Sequence, residues 1–306
     1  MVLPKVSIVI VNYNVKELLI HCIESIYKYN LTNVPIEIIV VDNNSSDDSC
    51  KVLKDRFQDV LLIENKYNAG FPKANNQGFS IAKGDFIFML NPDTEFLEDS
   101  LNIILEYFKD NSSVSIVAPM LLNSDGSRQL SVWRNPSLKY VFYETNYLNF
   151  LLKRKNYLDF DYSLPFQAET FSGAAIFFKK EVLTQIGDLD EKMFWIEDVD
   201  FCYRASNAEL ECVYLPTTKI KHHVGQSAKK NYNISLSNQI FNKIKFFKKH
   251  YSIINYILVL LLSFYHVIFK IILFGFLSPF NVIYFRKFKA YLYTFPKLFN
   301  VPDGIS

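Results

Sequence analysis

The 306-residue sequence is most informative first in what it lacks. Its four cysteines, Cys22, Cys50, Cys202 and Cys212, form no C-x-x-C pair and follow no zinc spacing, which argues against a thiolate metal centre and fits a reducing compartment. No G-x-x-x-x-G-K-[ST] loop occurs, and no G-x-G-x-x-G follows the first apolar run, so the two commonest glycine-rich phosphate cradles are absent. Neither sign of charge predominates overall, with 33 Lys and Arg against 31 Asp and Glu. A net charge of +2 argues against a nucleic-acid partner held by a broad basic field, leaving only local lysine clusters. There is no internal repeat or low-complexity segment. The N-terminus runs into Val6-Ser7-Ile8-Val9-Ile10-Val11 without the charged start, longer apolar core and small-residue cleavage site of a signal peptide. What the chain does have is 50% hydrophobic residues, enough to fill the core of one large domain or two smaller ones.

The pattern is centred on residues 84–95, Gly-Asp-Phe-Ile-Phe-Met-Leu-Asn-Pro-Asp-Thr-Glu. Phe86 to Leu90 contains no polar residue, as in a strand covered on both faces, and Pro92 ends the ladder by removing a backbone donor. In an open α/β sheet, ligands bind at the carboxyl ends of strands. Asn91, Asp93 and Glu95 therefore point to a ligand site, where a carboxylate could hold a divalent cation against a phosphate, although Asn, Pro and Asp are also ordinary turn residues. Upstream, strand-like runs at Val6 to Val11, Ile36 to Val41 and Val60 to Glu64 alternate with helical periodicity through Leu18, Leu19, Cys22, Ile23 and Ile26, and through Val52, Leu53 and Phe57. Downstream, the spacing predicts a helix from Leu97 to Phe108 and a strand from Val114 to Pro119. Asn123-Ser124-Asp125-Gly126 is a turn, and residues 133–166 give no clear period. Order resumes with a strand at Ser172 to Phe178, a helix from about Lys180, and another opened by Glu197-Asp198-Val199-Asp200.

Several side chains at these loop ends carry chemistry. Tyr13 could stack on a base, Asp42 could accept from base or ribose or simply serve the turn, and Asp93 could hold a metal bridging a diphosphate. Acids in a first helical turn complement the helix dipole, and Asp200 with Arg204 makes an i,i+4 pair. The apolar lead-in Met193-Phe194-Trp195-Ile196 nevertheless suggests a partly dehydrated carboxylate with the raised pKa of a general base. His222 and His223, between lysines and beside Gly225, suit a metal or an anionic diphosphate.

Taken in order, the motifs resemble glycosyltransferase family 2, inverting enzymes of the α/β GT-A fold, and within it the rhamnosyltransferase-like branch of bacterial surface polysaccharide synthesis. They are Val11 to Asn14, Val41 to Ser45, Asn68-Ala69-Gly70-Phe71 with Asn75-Asn76-x-Gly78, Leu90 to Asp93 and Ser172-Gly173-Ala174. They continue through Asp190-Glu191 with Phe194, Glu197-Asp198-x-Asp200-x-Cys202-x-Arg204 and His222-x-x-Gly225-x-Ser227. The resemblance implies a mostly parallel, Rossmann-like sheet flanked by helices. It implies that Tyr13, Asn14, Asp42, Asn68, Gly70, Lys73 and Asn76 bind the nucleotide, and that Asn91, Gly173 and Trp195 line the donor and acceptor pocket. Asp93, with His222 or His223, would hold Mg2+ or Mn2+. Asp198, seconded by Glu197, would be the catalytic base. Asn91 stands where many relatives carry the first aspartate of a D-x-D motif. The implied partners are a nucleotide-diphosphate sugar donor and a saccharide acceptor, in particular a lipid-linked one. From another class, the same fold could serve as a non-catalytic nucleotide-sugar-binding scaffold.

Residues 1–231 read as the catalytic domain and 232–306 as a helical, apolar region. There Lys243, Lys245, Lys248 and Lys249 precede an apolar run from Ile253 that Lys270 breaks, and Arg286, Lys287 and Lys289 follow further apolar stretches. Its length approaches that of a membrane span, but basic residues at both ends would keep both ends cytoplasmic, favouring peripheral or monotopic attachment at the cytoplasmic face of the inner membrane. A helical subdomain packed on the catalytic domain is the soluble counterpart.

Overall fold

A computed structural model describes residues 6–146, 160–193, 195–223 and 232–301. The chain divides into two compact units, the first from residues 1–134, 159–191 and 197–224, the second from 135–158, 192–196 and 225–306.

The first unit begins with strand β1 (Val6–Asn12), buried at every position. Helix α1 (Lys16–Tyr29) covers it with the stripe Leu19, Cys22, Ile23 and Ile26. Strand β2 (Ile36–Asp42), helix α2 (Ser49–Arg56), strand β3 (Leu61–Glu64), helix α3 (Phe71–Ile81) and strand β4 (Phe86–Leu90) follow. These four strands pair in parallel in the order β3-β2-β1-β4, with Asn12 opposite Asp42 and Ile10 opposite Leu90. Parallel pairing sends all four carboxyl ends to one edge, and unbroken apolar strands need cover on both faces. Helix α3 comes close enough that a Cβ on Gly78 would collide with Val9 of β1, which is why glycine stands there.

Beyond β4 the sheet becomes mixed. The predicted helix after Asp93 starts later than its periodicity suggested: a short strand β5 (Thr94–Phe96) intervenes, and Asp99 then caps α4 (Ser100–Asp110) by accepting from the Asn102 N–H. Strand β6 (Val114–Leu122) and the two-residue β7 (Val132–Trp133) come next. Part of the stretch that gave no period is helix α5 (Leu138–Thr145), which belongs to the second unit. Strands β8 (Phe166–Gln167), β9 (Thr170–Phe171) and β10 (Ala175–Lys179) lead to helices α6 (Glu181–Ile186) and α7 (Glu197–Asn207), then β11 (Glu211–His222). Strand β10 lies antiparallel between β4 and β6, β11 runs parallel to β6, and β5 and β8 pair antiparallel with β11. Strand β11 runs on to His222 across a register shift between Leu215 and Lys219, where Pro216 interrupts the ladder. Phe88, Phe96 and Phe177 fill the core under β4 and β10.

In the second unit, α8 (Tyr232–His250), α9 (Ile253–Leu277) and α10 (Val282–Thr294) assemble with α5. Lys270 does not break α9. Its ammonium lies 5.0 Å from the Phe274 ring centroid one turn on, and lysine is a good helix former. Phe274 meets Tyr284 and Tyr291, while Phe264 meets Phe295, so α10 runs antiparallel along the C-terminal half of α9.

Candidate active site

The carboxyl ends of β1 and β2 are tied by a buried carboxylate. Asp42 is 2% exposed; its Oδ1 accepts from Asn12 Nδ2 at 2.7 Å and its Oδ2 from the Ser45 N–H at 2.8 Å. A buried charge needs such donors to offset lost hydration. Asn14, at a left-handed φ of 54° that asparagine tolerates, accepts from the Ser46 N–H at 2.7 Å and so closes the same loop. Tyr13 stands open between them, 46% exposed. Alongside, Asn43 Oδ1 accepts from Asn65 Nδ2 and the Ala69 N–H, and Asn68 Oδ1 accepts from the Gly70 N–H at 3.0 Å. Gly70, with φ 85° and ψ 160°, turns the chain into α3, on whose first turn Lys73 is half-buried. Asn76 has a different engagement: its amide donates to the Leu189 carbonyl at 2.8 Å and accepts from the Leu189 N–H at 3.0 Å, pinning the segment before α7.

At the end of β4, the Asn91 N–H donates to the Ala174 carbonyl at 2.9 Å, and the Asn91 carbonyl accepts from Thr94. Among the described residues its buried side-chain Oδ1 has no hydrogen-bond partner. Two residues on, Asp93 Oδ1 lies 3.2 Å from His222 Nε2. The other ring nitrogen, His222 Nδ1, is 2.7 Å from Gln129 Oε1. Gln129 is oriented by its own Nε2, which donates to Asn123 Oδ1 at 3.0 Å. Its Oε1 must therefore accept, so Nδ1 carries the proton, and in a neutral ring Nε2 turns a lone pair towards Asp93. An imidazole nitrogen and a carboxylate oxygen 3.2 Å apart are spaced so that both could ligate one hard or borderline cation. Among the described residues no cluster of three or more His, Cys, Asp and Glu could hold a metal. The pair still fits Mg2+ or Mn2+, which take few protein ligands when substrate phosphate and water complete the shell. Adjacent histidines at a strand end face opposite ways, and His223 lies elsewhere: Nδ1 is 2.9 Å from Ser124 Oγ and Nε2 3.3 Å from Glu95. Burial pushes the Glu95 carboxyl up, but Lys221 and His223 outweigh it and hold the group below its ordinary range.

Asp198 occupies the first turn of α7. The Gly173 N–H donates to its Oδ2 and the Val199 N–H to its Oδ1, both at 2.8 Å. Burial pushes the carboxyl above its ordinary range, and the two amides pull it only part of the way back. A Cβ on Gly173 would sit 3.3 Å from Asp198 Cβ and 3.4 Å from Oδ2, so the close approach depends on glycine. Gly173 adjoins Ala174, the partner of Asn91, so backbone bonds link the β4 end to Asp198. Asp200, fully buried, accepts from Arg204 Nε at 2.8 Å, and the guanidinium goes on to the carbonyls of Ile186, Gly187 and Asp188.

The glycosyl transferase family 2 model matches residues 7–187, more than half of the chain. The chain belongs to glycosyltransferase family 2. The N-acetylglucosaminyl-diphospho-decaprenol L-rhamnosyltransferase of Mycobacterium tuberculosis is similar at 23% identity over 218 residues, covering 64% of this chain and 69% of that enzyme. The poly(ribitol-phosphate) beta-glucosyltransferase of Bacillus spizizenii is 34% identical over 113 residues, 36% of this chain, which spans only 18% of that relative's length. Among solved structures, GalNAc-T7 with UDP, GalNAc and Mn2+ superposes with a TM-score of 0.59 at 15% identity, covering 78% of this chain and 47% of that one. The fold is GT-A.

In this family 2 glycosyltransferase, the predicted residues fall into three groups at one edge of the sheet. Tyr13, Asn14 and Asp42 share one loop, with Asn68, Gly70 and Lys73 at the entry to α3. Asn91, Asp93 and His222 gather at the end of β4. Gly173 and Asp198 meet directly, and Glu197 is buried beside Asp198 in sequence. Trp195, half-exposed with φ 76°, groups with the second unit. Phe194, Gly225 and Ser227 lie outside the described residues. Sequence reading missed Asn12, the donor that holds Asp42, and Gln129, which orients His222. The structure makes Asn12 the last, buried residue of β1, one beyond the expected end at Val11, and the only sequence signal was an asparagine directly after an apolar run; Gln129, three residues past a turn, carried none.

Proposed function

We propose that the chain transfers a hexose, rhamnose or a relative, from a nucleoside diphosphate donor to a saccharide on a lipid carrier, with inversion at the anomeric carbon. The observation that carries this reading is the backbone link from Asn91 through Ala174 and Gly173 to Asp198. It joins a pair suited to a cation at the diphosphate, Asp93 and His222, to a carboxylate suited to taking a proton. The relatives' names, one an L-rhamnosyltransferase acting on a diphospho-decaprenol saccharide, support the donor and acceptor classes.

In the proposed reaction Asp198 accepts the proton of an acceptor hydroxyl, and that oxygen attacks the anomeric carbon as the bond to the diphosphate oxygen breaks. One displacement inverts the centre. Tyr13 stacks on the base, Asp42 keeps the loop that receives base and ribose in shape, and Lys73 meets the diphosphate. Held by Asp93 and His222, a magnesium or manganese ion would offset the charge on the departing diphosphate. Attachment of the apolar second unit to the cytoplasmic membrane surface would bring the site to a lipid-linked acceptor.

The test is to screen nucleotide sugars for nucleoside diphosphate release in the presence of membranes carrying acceptor. Release that depends on acceptor supports transfer. Donor binding without release, unchanged in Asp198→Asn, would make the chain a nucleotide-sugar-binding scaffold instead.

A further inference from the structure

Resting on the membrane attachment proposed above, we infer that the second unit is an in-plane anchor for anionic bilayer surfaces and does not span the membrane. The charge distribution is the first ground. From Cys212 to Pro302 the sequence has thirteen Lys and Arg and no Asp or Glu, so the near-neutral total conceals a basic C-terminal third and an acidic remainder. Nine of those cations lie in residues 232–301.

The second ground is one face of α9. Ile254, Ile257, Leu261, Ile268, Ile272 and Phe276 are all more than 40% exposed and recur at helical spacing over roughly 33 Å. The opposite face, with Val259, Val267 and Phe274, is buried. Ile253–Phe280 is, among the described residues, the one helical stretch long and apolar enough to cross a bilayer. Its neighbour decides against crossing. Because α10 lies antiparallel beside the same half of α9, a span would carry Lys270, Arg286, Lys287 and Lys289 into hydrocarbon, with Lys287 Nζ 5.3 Å from the Phe274 centroid and Lys270 Nζ 5.0 Å from it. Each such cation is strongly disfavoured at the centre of a span. Lying flat, the hairpin buries its apolar face at the acyl boundary while lysine and arginine stems reach the headgroups. A second copy would bring two strongly basic units together. A nucleic acid would leave the apolar face uncovered. An anionic lipid surface satisfies both the charge and the face.

The test uses the full chain with vesicles of phosphatidylcholine alone, or with about one-third phosphatidylglycerol. Expected is binding to the anionic vesicles, weakened by salt. Combined Arg286→Gln, Lys287→Gln and Lys289→Gln should weaken it about 100-fold, and Leu261→Ser with Ile272→Ser should abolish it. These positions are surface or half-buried, so folding is checked by an unchanged circular dichroism melt. Tryptophan introduced as Leu261→Trp should be quenched more by bromine near the headgroup than at the chain end. Equal binding to neutral vesicles, stronger quenching from the chain end, or a concentration-dependent dimer that ignores vesicles would each overturn the inference. All these readouts measure partition and depth, so they stand or fall separately from sugar release.

Discussion

Isoleucine, leucine and phenylalanine build both units, yet they meet opposite surroundings. In the first unit Ile8, Ile10, Phe88 and Phe177 are 0% exposed, in strands of five to seven residues that end in polar loops. In the second, Ile272 is 67% and Phe276 76% exposed, on a helix of 25 residues without an acid. Short apolar runs hidden on both faces deliver polar side chains at their ends, where Asp42 and Asp93 sit. A long run with one open face delivers surface. If the first unit performs chemistry and the second sets location, substitutions in one should move turnover on a soluble acceptor and leave vesicle binding alone, and the reverse for the other.

The largest effect should come from Asp93→Ala. Losing the carboxylate opposite His222 Nε2 should take nucleoside diphosphate release below detection, and a chelator should reproduce this reversibly in the unaltered chain. Vesicle binding should not change. Full turnover in chelator would remove the cation from the reaction.

Next is Asp198→Asn, expected to cut turnover roughly 10²- to 10⁴-fold with donor affinity retained. Because burial holds this carboxyl above its ordinary range, turnover in the unaltered chain should rise with pH through that raised value. Stability has the opposite sign. Between the unfolded and the folded pKa the native state binds more protons, so ionisation costs stability as pH rises through that window. The amide should therefore be at least as stable as the carboxylate at pH 7, measured by urea midpoint. A loss of stability would mean that the two backbone amides outweigh burial.

The strands and the site loops were legible because apolar runs end abruptly in Asn, Asp and Gly. What was not legible depends on distant partners. Asn76 looks like its neighbour Asn75 until Leu189 folds against it. His222 and His223 are equivalent as letters, and only the strand face separates one beside Asp93 from one beside Glu95. Lys270 reads as a break in an apolar run, but hydropathy does not register the aromatic ring on which its ammonium rests. Strand β5 is too short for any period to show.

Gly173→Ala should have a smaller effect, lowering turnover on the order of tenfold by displacing Asp198 by a few tenths of an ångström. Donor affinity and the urea midpoint should stay close to those of the unaltered chain. An unchanged turnover would mean that Asp198 can shift freely and that its contact with Gly173 does not position it.

Asp200→Asn should affect turnover least while costing the most stability. Its carboxylate is buried and paired with Arg204, whose other donors clamp the Ile186, Gly187 and Asp188 carbonyls. Neutralising one partner of a buried pair leaves the guanidinium short of its counter-charge, a loss of about 3 kcal/mol and a fall in Tm of roughly 5–10 °C. Below that new Tm, turnover per folded molecule should stay within about twofold, because the clamp fixes where α7 starts and not what Asp198 does. Arg204→Lys should be nearly as destabilising, since an ammonium cannot reach three carbonyls and a carboxylate from one plane. The comparison between adjacent acids is then direct: Asp198→Asn loses turnover and keeps stability, Asp200→Asn loses stability and keeps turnover. If Asp200→Asn proved stable but inactive, the base would have to be sought at Asp200 and the clamp read as its support.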